Sequence, residues 1–214
     1  MELRILYEDE YLIAVDKPYG LLSEGEGEDS LITQLTRYLK ESGKPAFIKP
    51  VHRLDRTTRG AIIYAKTSEC ARRLCEMIRS GTVRKIYTAK IEGIPEYQKG
   101  YLEDMLFYDR RRNKSFVVKN ERKGVKRAKL YYEVLSVENI EDTAVSEVKV
   151  ELLTGRTHQI RVQFASRGMP IVGDRRYGST IRSQILLFSS EIRLKHPFTG
   201  EELVIDSSFK IHND

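Results

Sequence analysis

The stretch His52-Arg53-Leu54-Asp55-Arg56-Thr57-Thr58-Arg59-Gly60 runs directly into Ala61-Ile62-Ile63-Tyr64-Ala65, and the rest of the chain is organised around it. It sets one carboxylate, Asp55, among Arg53, Arg56 and Arg59, and then enters a plainly apolar strand. Nearby positive charge favours the ionised form of an acid. Asp55 is therefore suited to act as a nucleophile or base rather than as a proton donor. A structural ion-pair knot has the same composition, so the stretch alone leaves both readings open.

Working outward, Leu3–Tyr7 and Leu12–Val15 read as two strands joined by the acidic turn Glu8-Asp9-Glu10. The second strand is stopped by Asp16-Lys17-Pro18-Tyr19-Gly20, where proline and glycine force a turn. Residues 24–28 alternate Glu and Gly and read as an acidic loop. Asp29 or Ser30 can cap a helix that carries Leu31, Leu35, Tyr38 and Leu39 on one face. After the strand at 61–65, Ser68 is the expected cap of a second helix. Ala71, Leu74, Cys75 and Ile78 form its apolar stripe, and Gly81 ends it. Residues 83–93 alternate as a half-buried strand. Its Tyr87, beside Lys85, can stack a base or simply pack within a sheet.

The most basic region contains Arg110, Arg111, Arg112 and Lys114 and continues to Lys129, with Glu121 as its only acid. It reads as a hairpin or long loop. It is either a solvated charged face or a track for a phosphate backbone, which would position RNA without reading its sequence. Strands at 130–137 and 148–153 lead to Thr154-Gly155-Arg156-Thr157-His158-Gln159-Ile160-Arg161. That segment reads as a glycine turn followed by a short helix that stacks Arg156, His158 and Arg161. Two last strands, near 185–188 and 203–205, flank the turn His196-Pro197-Phe198-Thr199-Gly200. Segregated strands with two clear helices imply an α+β fold with a mixed, largely antiparallel sheet. No linker or repeat divides residues 1–214, so one domain is expected, with no separate amino-terminal RNA-binding domain.

The 214 residues carry a formal charge of +6, and the excess of Lys and Arg favours a polyanionic partner, nucleic acid before membrane. No apolar leader or membrane-length segment is present, and Cys70 and Cys75 match neither a disulfide framework nor a zinc ribbon. A soluble, cytoplasmic monomer is the expectation.

Taken together, the ordered motifs resemble the RluA-type family of RNA pseudouridine synthases. They are Asp16-Lys17-Pro18-Tyr19-Gly20, His52-Arg53-Leu54-Asp55 with Thr58-Arg59-Gly60, Lys85-Ile86-Tyr87, Thr154–Arg161, Gly173-Asp174 with Tyr177-Gly178, and the turn at 196–200. The resemblance implies a mainly antiparallel sheet with a central cleft. It also implies isomerisation of uridine to pseudouridine in tRNA or ribosomal RNA without metal or cofactor. Asp55 would be the catalytic carboxylate, Arg161 its arginine partner, and Tyr87 the residue that packs on the target base and assists proton removal. Arg53, Arg56, Arg110, Arg111, Arg112, Lys114, Arg156 and His158 are the expected RNA contacts. The chain departs from the family pattern at Arg59, usually serine, and at Phe188, where a Leu-His-Ala stretch is common. A non-catalytic RNA-binding or ribosome-assembly protein on the same scaffold is the alternative. A metal or histidine-dependent hydrolase using His52, His158 and Asp174 is a third reading. It lacks a standard ligand spacing, and His52 and His158 are read instead as hydrogen bonders that fix loops.

Overall fold

The computed structural model describes residues 3–140 and 142–207. In chain order the elements are β1 (Ile5–Glu8), β2 (Leu12–Lys17), α1 (Leu31–Glu41), β3 (Lys49–Pro50), β4 (Arg59–Ala65), α2 (Ser68–Ser80), β5 (Arg84–Glu92), β6 (Lys99–Asp109), β7 (Lys114–Val118), β8 (Val125–Ile140), β9 (Thr143–Leu152), α3 (Gln159–Ala165), a single 3-10 turn at Arg175–Tyr177, β10 (Leu187–Lys195) and β11 (Glu202–Asp206). The chain forms two compact units, residues 1–85 with 188–214, and residues 86–187. The expected α+β class with a mixed, largely antiparallel sheet is what the strands form.

In the first unit the strands run in the order β1, β2, β4, β10, with β11 on β10 and β3 on β4. The pairings β1–β2, β2–β4, β3–β4 and β10–β11 are antiparallel, and β4–β10 is parallel. Leu12–Val15 and Ala61–Ala65 are buried on both faces, which is why these strands read as continuous apolar runs rather than alternations. Leu12, Ala14, Ala61, Ile63 and Ala65 pack with Cys70, Ala71 and Leu74 of α2 and with Ile192, Leu194 and Ile205. On α1, Leu31, Leu35 and Leu39 recur every four residues and are all fully buried. Burial of each contributes about 1.5–3 kcal/mol.

Two details of α2 differ from the sequence expectation. Its cap is Thr67, whose hydroxyl accepts from the Cys70 N–H, and Ser68 is the first helical residue. The buried cysteine is Cys70, and Cys75 is only half-buried. Cys70 lies one turn before Leu74 and shares its face, whereas Cys75 is rotated about 100° from Leu74 around the helix.

The parallel pair β4–β10 sets Gly60 opposite Ser189 and Arg59 opposite Phe188. Gly60 has φ +105°, and a Cβ there would lie 2.2 Å from the Ser189 carbonyl oxygen. Only glycine permits this close approach of two backbones.

The second unit orders its strands β5, β9, β8, β6, β7, with antiparallel β6–β7, β6–β8 and β8–β9 pairs. Strand β5 differs from the half-buried alternation expected: Tyr87, Ala89 and Ile91 on one side and Ile86, Lys90 and Glu92 on the other are all buried. The basic segment forms the β6–β7 hairpin and the start of β8, with Arg110, Arg111 and Arg112 exposed at the hairpin tip. Helix α3 lies over this sheet: Val162 and Tyr177 pack with Leu106 and Ala128, and Phe164 meets the Tyr132 ring edge-on at 5.7 Å. Among the described residues no helix is long and apolar enough to cross a membrane.

Candidate active site

Asp55 sits on the loop between β3 and β4, and the loop's backbone is fastened on several sides. The Leu54 N–H donates to Ser23 Oγ at 3.0 Å, and the Ser23 hydroxyl donates to the Leu54 carbonyl at 2.9 Å. Ser23 is itself held by the Tyr64 hydroxyl, which donates to its carbonyl at 2.6 Å. Thr58 N–H closes a turn on the Asp55 carbonyl at 3.0 Å. Gly20 N–H donates to the Arg56 carbonyl at 3.0 Å, and Arg56 Nε returns a bond to the Gly20 carbonyl at 2.8 Å. Lys17, fully buried at the end of β2, donates from Nζ to the carbonyls of Pro18, Arg56 and Thr58 at 3.1, 3.1 and 2.8 Å. The turn at 18–20 and the Asp55 loop are therefore one rigid assembly.

The arginines of the opening motif have contacts of their own. Arg53 pairs with Glu24 at 2.8 Å and Arg56 with Asp29 at 3.2 Å, all at the surface. Glu24, in the acidic loop at 24–28 for which the sequence suggested no chemistry, and Asp29, read as a helix-cap candidate, thus neutralise Arg53 and Arg56, two of the residues expected to meet RNA. Exposed pairs of this kind contribute about 0–1 kcal/mol, so a phosphate can replace either acid at little cost. Arg59 lies over the rings of Tyr19 and Phe188 at 5.7 and 5.9 Å. The two departures from the family pattern, Arg59 and Phe188, are hence register partners that touch. His52 Nε2 accepts from the Ile63 N–H at 3.1 Å, and burial together with the Lys85 charge pushes its pKa down to about 3. It is a neutral loop-fixing group, as expected.

Tyr87 and Arg161 belong to the second unit. Tyr87 is buried on β5. Arg161 is buried on α3 and forms a two-pronged pair with buried Asp174, Nε to Oδ2 at 2.6 Å and Nη2 to Oδ1 at 2.9 Å. Its guanidinium lies 5.1 Å from the centre of the Tyr177 ring. The Tyr177 hydroxyl accepts from Ser115 N–H at 2.8 Å and bonds His158 Nδ1 at 2.9 Å. A planar fork matched to a carboxylate fixes the guanidinium's plane as well as its position.

Of Arg156, His158 and Arg161, expected to stack together, the last two meet at Tyr177 and Arg156 turns away to β8. Helix α3 begins only after His158, which has φ +54° and caps it in the left-handed region. Arg156 lies before the helix and donates from Nε to the Arg127 carbonyl on β8 at 3.0 Å. His158 is buried against Tyr177, which suits support of that ring rather than contact with RNA. Lys114 donates to the Arg176 carbonyl at 2.7 Å and lies 5.0 Å from the Tyr177 ring centre, tying the hairpin to the same cluster. Arg110, Arg111 and Arg112 remain exposed on a tip shaped by Asp109, whose Oδ1 accepts from the N–H groups of Arg111 and Arg112. The three side chains of the hydrolase reading each have partners: His52 with Ile63, His158 with Tyr177, and Asp174 with Arg161. Among the described residues no cluster of His, Cys, Asp or Glu could hold a metal ion.

Residues 11–166 match the family model described as RNA pseudouridylate synthase. The chain belongs to that family. Curated relatives place it with the RluA-type pseudouridine synthases. The chain is 33% identical to the dual-specificity RNA pseudouridine synthase RluA of Escherichia coli, over 94% of this chain and 90% of the relative. It is 31% identical to tRNA pseudouridine synthase C of Vibrio parahaemolyticus, over 97% of this chain and 91% of the relative. Among solved structures, human RNA pseudouridylate synthase domain containing 1 matches with a TM-score of 0.81 at 22% identity, covering 97% of this chain and 84% of that one. This last likeness establishes the fold. As a member of the RluA-type family the chain is an RNA pseudouridine synthase, an isomerase.

The sequence reading gives Lys17 no functional role and gives Asp174 a chemical role only in the hydrolase alternative. Lys17 has a legible signal, a lysine ending an apolar strand before a proline turn. For Asp174 as the partner of Arg161, the only signal is its place in the Gly173-Asp174 motif.

Proposed function

We propose that the chain isomerises uridines of tRNA or ribosomal RNA with Asp55 as the catalytic carboxylate, acting as a cytoplasmic monomer without cofactor. Support for the substrate class comes from relatives named for tRNA and for dual-specificity RNA modification. The observation that carries the assignment of Asp55 is its loop, an acid on a backbone held by Lys17, Ser23 and Gly20. A carboxylate on such a support is already positioned before substrate arrives.

The reaction breaks the N1–C1′ bond, turns the detached uracil and forms a C5–C1′ bond. The C5 proton leaves, and N1 ends protonated. Asp55 either attacks C1′ as a nucleophile or takes a sugar proton to give a glycal, and both routes require its ionised form. Arg161, held in plane by Asp174, is the partner that fixes the carboxylate's orientation and charge. The target uridine is stacked within RNA and must be flipped out, and Tyr87 supplies an aromatic surface on which it can stack. Arg53, Arg56, Arg110, Arg111, Arg112, Lys114 and Arg156 supply phosphate contacts.

The test is tritium release from RNA labelled at uridine C5, with tRNA and ribosomal RNA transcripts offered separately to wild type and Asp55→Asn. Release by wild type from one or both RNAs, lost in the variant while RNA binding stays within a few-fold, is the expected result. Wild-type turnover by Asp55→Asn would overturn the assignment. RNA binding without release from either RNA would favour the non-catalytic alternative.

A further inference from the structure

We propose that Tyr19 is a stacking platform for an unpaired base of the substrate RNA, with Arg59 backing its ring and Arg56 meeting the adjoining phosphate. The inference deepens the proposed function and rests on RNA being the substrate.

Tyr19 stands where the chain leaves the sheet beside the candidate active site. Lys17, the last residue of β2, pairs with Gly60 of β4, so the turn that follows emerges next to Arg59. The Arg59 guanidinium lies over the Tyr19 ring at 5.7 Å from its centre and over the Phe188 ring at 5.9 Å. Phe188 is buried and Tyr19 is 39% exposed, so the arginine joins a ring of the core to a ring at the surface. The next residue, Gly20, exchanges two hydrogen bonds with Arg56, which follows Asp55 in the chain. Two guanidiniums thus border the turn that carries the Tyr19 ring, and that turn is fastened to the Asp55 loop.

A tyrosine at the surface is by itself ordinary. Here its surroundings match what a single strand of RNA requires. Surfaces that hold unpaired RNA combine aromatic faces, on which bases stack, with cations that follow the backbone. Contact with Arg59 steadies the ring without burying it, so less side-chain freedom is lost when a base arrives. Arg56 is anchored through Nε to the Gly20 carbonyl, while its Nη2 meets the exposed Asp29 carboxylate at 3.2 Å, a position a phosphate oxygen can take instead. Arg59 and Phe188 are also the two departures from the family pattern. A serine at position 59 would end at its hydroxyl and offer the ring no cation, so this chain's own substitution builds the platform. Stacking of this kind reads whether a base is unpaired, and every base has a face to offer. The platform therefore selects RNA by its structure around the target uridine.

The experiment measures binding by fluorescence anisotropy in the Asp55→Asn background, so that no turnover intervenes. Its probes are labelled tRNA and ribosomal RNA transcripts and a blunt RNA duplex. Tyr19→Ala is expected to weaken binding to at least one transcript roughly five- to a hundredfold, the range for loss of one stacked base, and to leave duplex binding within about twofold. Tyr19→Phe keeps the aromatic face and is expected to bind within about twofold of tyrosine, whereas Tyr19→Leu keeps only apolar bulk and is expected to behave as alanine does. Arg59→Ser is expected to show part of the alanine loss. The salt slope should hold in Tyr19→Ala, because stacking releases no counterions, and should fall by about 0.7–0.9 in Arg56→Gln. Transcript binding by Tyr19→Ala within about twofold overturns the proposal, as do equal losses on transcript and duplex. So does a Tyr19→Leu protein that binds as tightly as tyrosine, and this variant carries the comparison if the alanine protein is unstable. Absence of binding to either transcript by the parent protein would remove the RNA reading and the platform with it. Turnover by Asp55→Asn would defeat only the reading of Asp55, because the platform is read from binding.

Discussion

Replacing Asp174 by alanine tests the support of Arg161 most sharply. Both side chains are almost wholly removed from water, Arg161 at 7% and Asp174 at 2% exposure, and they share two short charge-assisted hydrogen bonds. Removing one member of such a pair leaves the other charge in a poorly solvated site, which costs about 3–5 kcal/mol. Against a total stability of about 5–15 kcal/mol, that loss is large. Asp174→Asn keeps the volume and one acceptor and should cost roughly half as much. The double change Asp174→Leu, Arg161→Met replaces the pair with apolar groups and should recover much of the stability while leaving turnover abolished. Urea denaturation followed by circular dichroism, with tritium release measured on the same samples, reads both quantities. A loss below about 1 kcal/mol in Asp174→Ala would refute the argument, since it would mean that Arg161 is solvated or held equally well by other groups.

Gly60→Ala should cost about 3 kcal/mol or more, because φ is +105° and the new methyl meets the Ser189 carbonyl at 2.2 Å; a wild-type urea midpoint would show that β4 and β10 can separate freely. His52 should make stability fall as pH drops from its ordinary value of 6.5 towards its folded value of about 3, because the unfolded chain binds the proton first. His52→Gln should flatten that slope in melting temperature against pH, and an unchanged slope would assign it elsewhere. Exchanging Arg110, Arg111 and Arg112 for glutamine should weaken RNA binding and reduce the salt slope by about 2–3, at roughly 0.7–0.9 for each phosphate the protein no longer neutralises. An unaltered slope would move the phosphate track off this hairpin.

Much of the local structure is legible in the sequence because its causes are local. Leu31, Leu35 and Leu39 recur at helical spacing, Gly81 in the left-handed region closes α2, and the basic run, read as a hairpin or long loop, folds as a hairpin. Sequence expectation fails where neighbours in space, distant along the chain, decide. Strand β5 reads as half-buried because its residues alternate, yet both faces are covered and even Lys90 is buried and bonded to Glu138 at 2.5 Å. The expected stack of Arg156, His158 and Arg161 requires a helix that starts earlier than α3 does. His158 takes a positive φ before the helix, so Arg156 reaches Arg127 instead, while His158 and Arg161 still meet at Tyr177.

By itself, the sequence determined the family, the α+β class and the identity of the candidate carboxylate. Those follow from an ordered set of short motifs, each read from adjacent residues. Only the tertiary structure decided what surrounds that carboxylate. Arg53 and Arg56 turn to Glu24 and Asp29, and Lys17, buried at the end of β2, adds a positive charge that acts on Asp55. Electrostatic environment and hydrogen-bond satisfaction depend on distances of a few ångströms through space, and a linear sequence does not carry those distances.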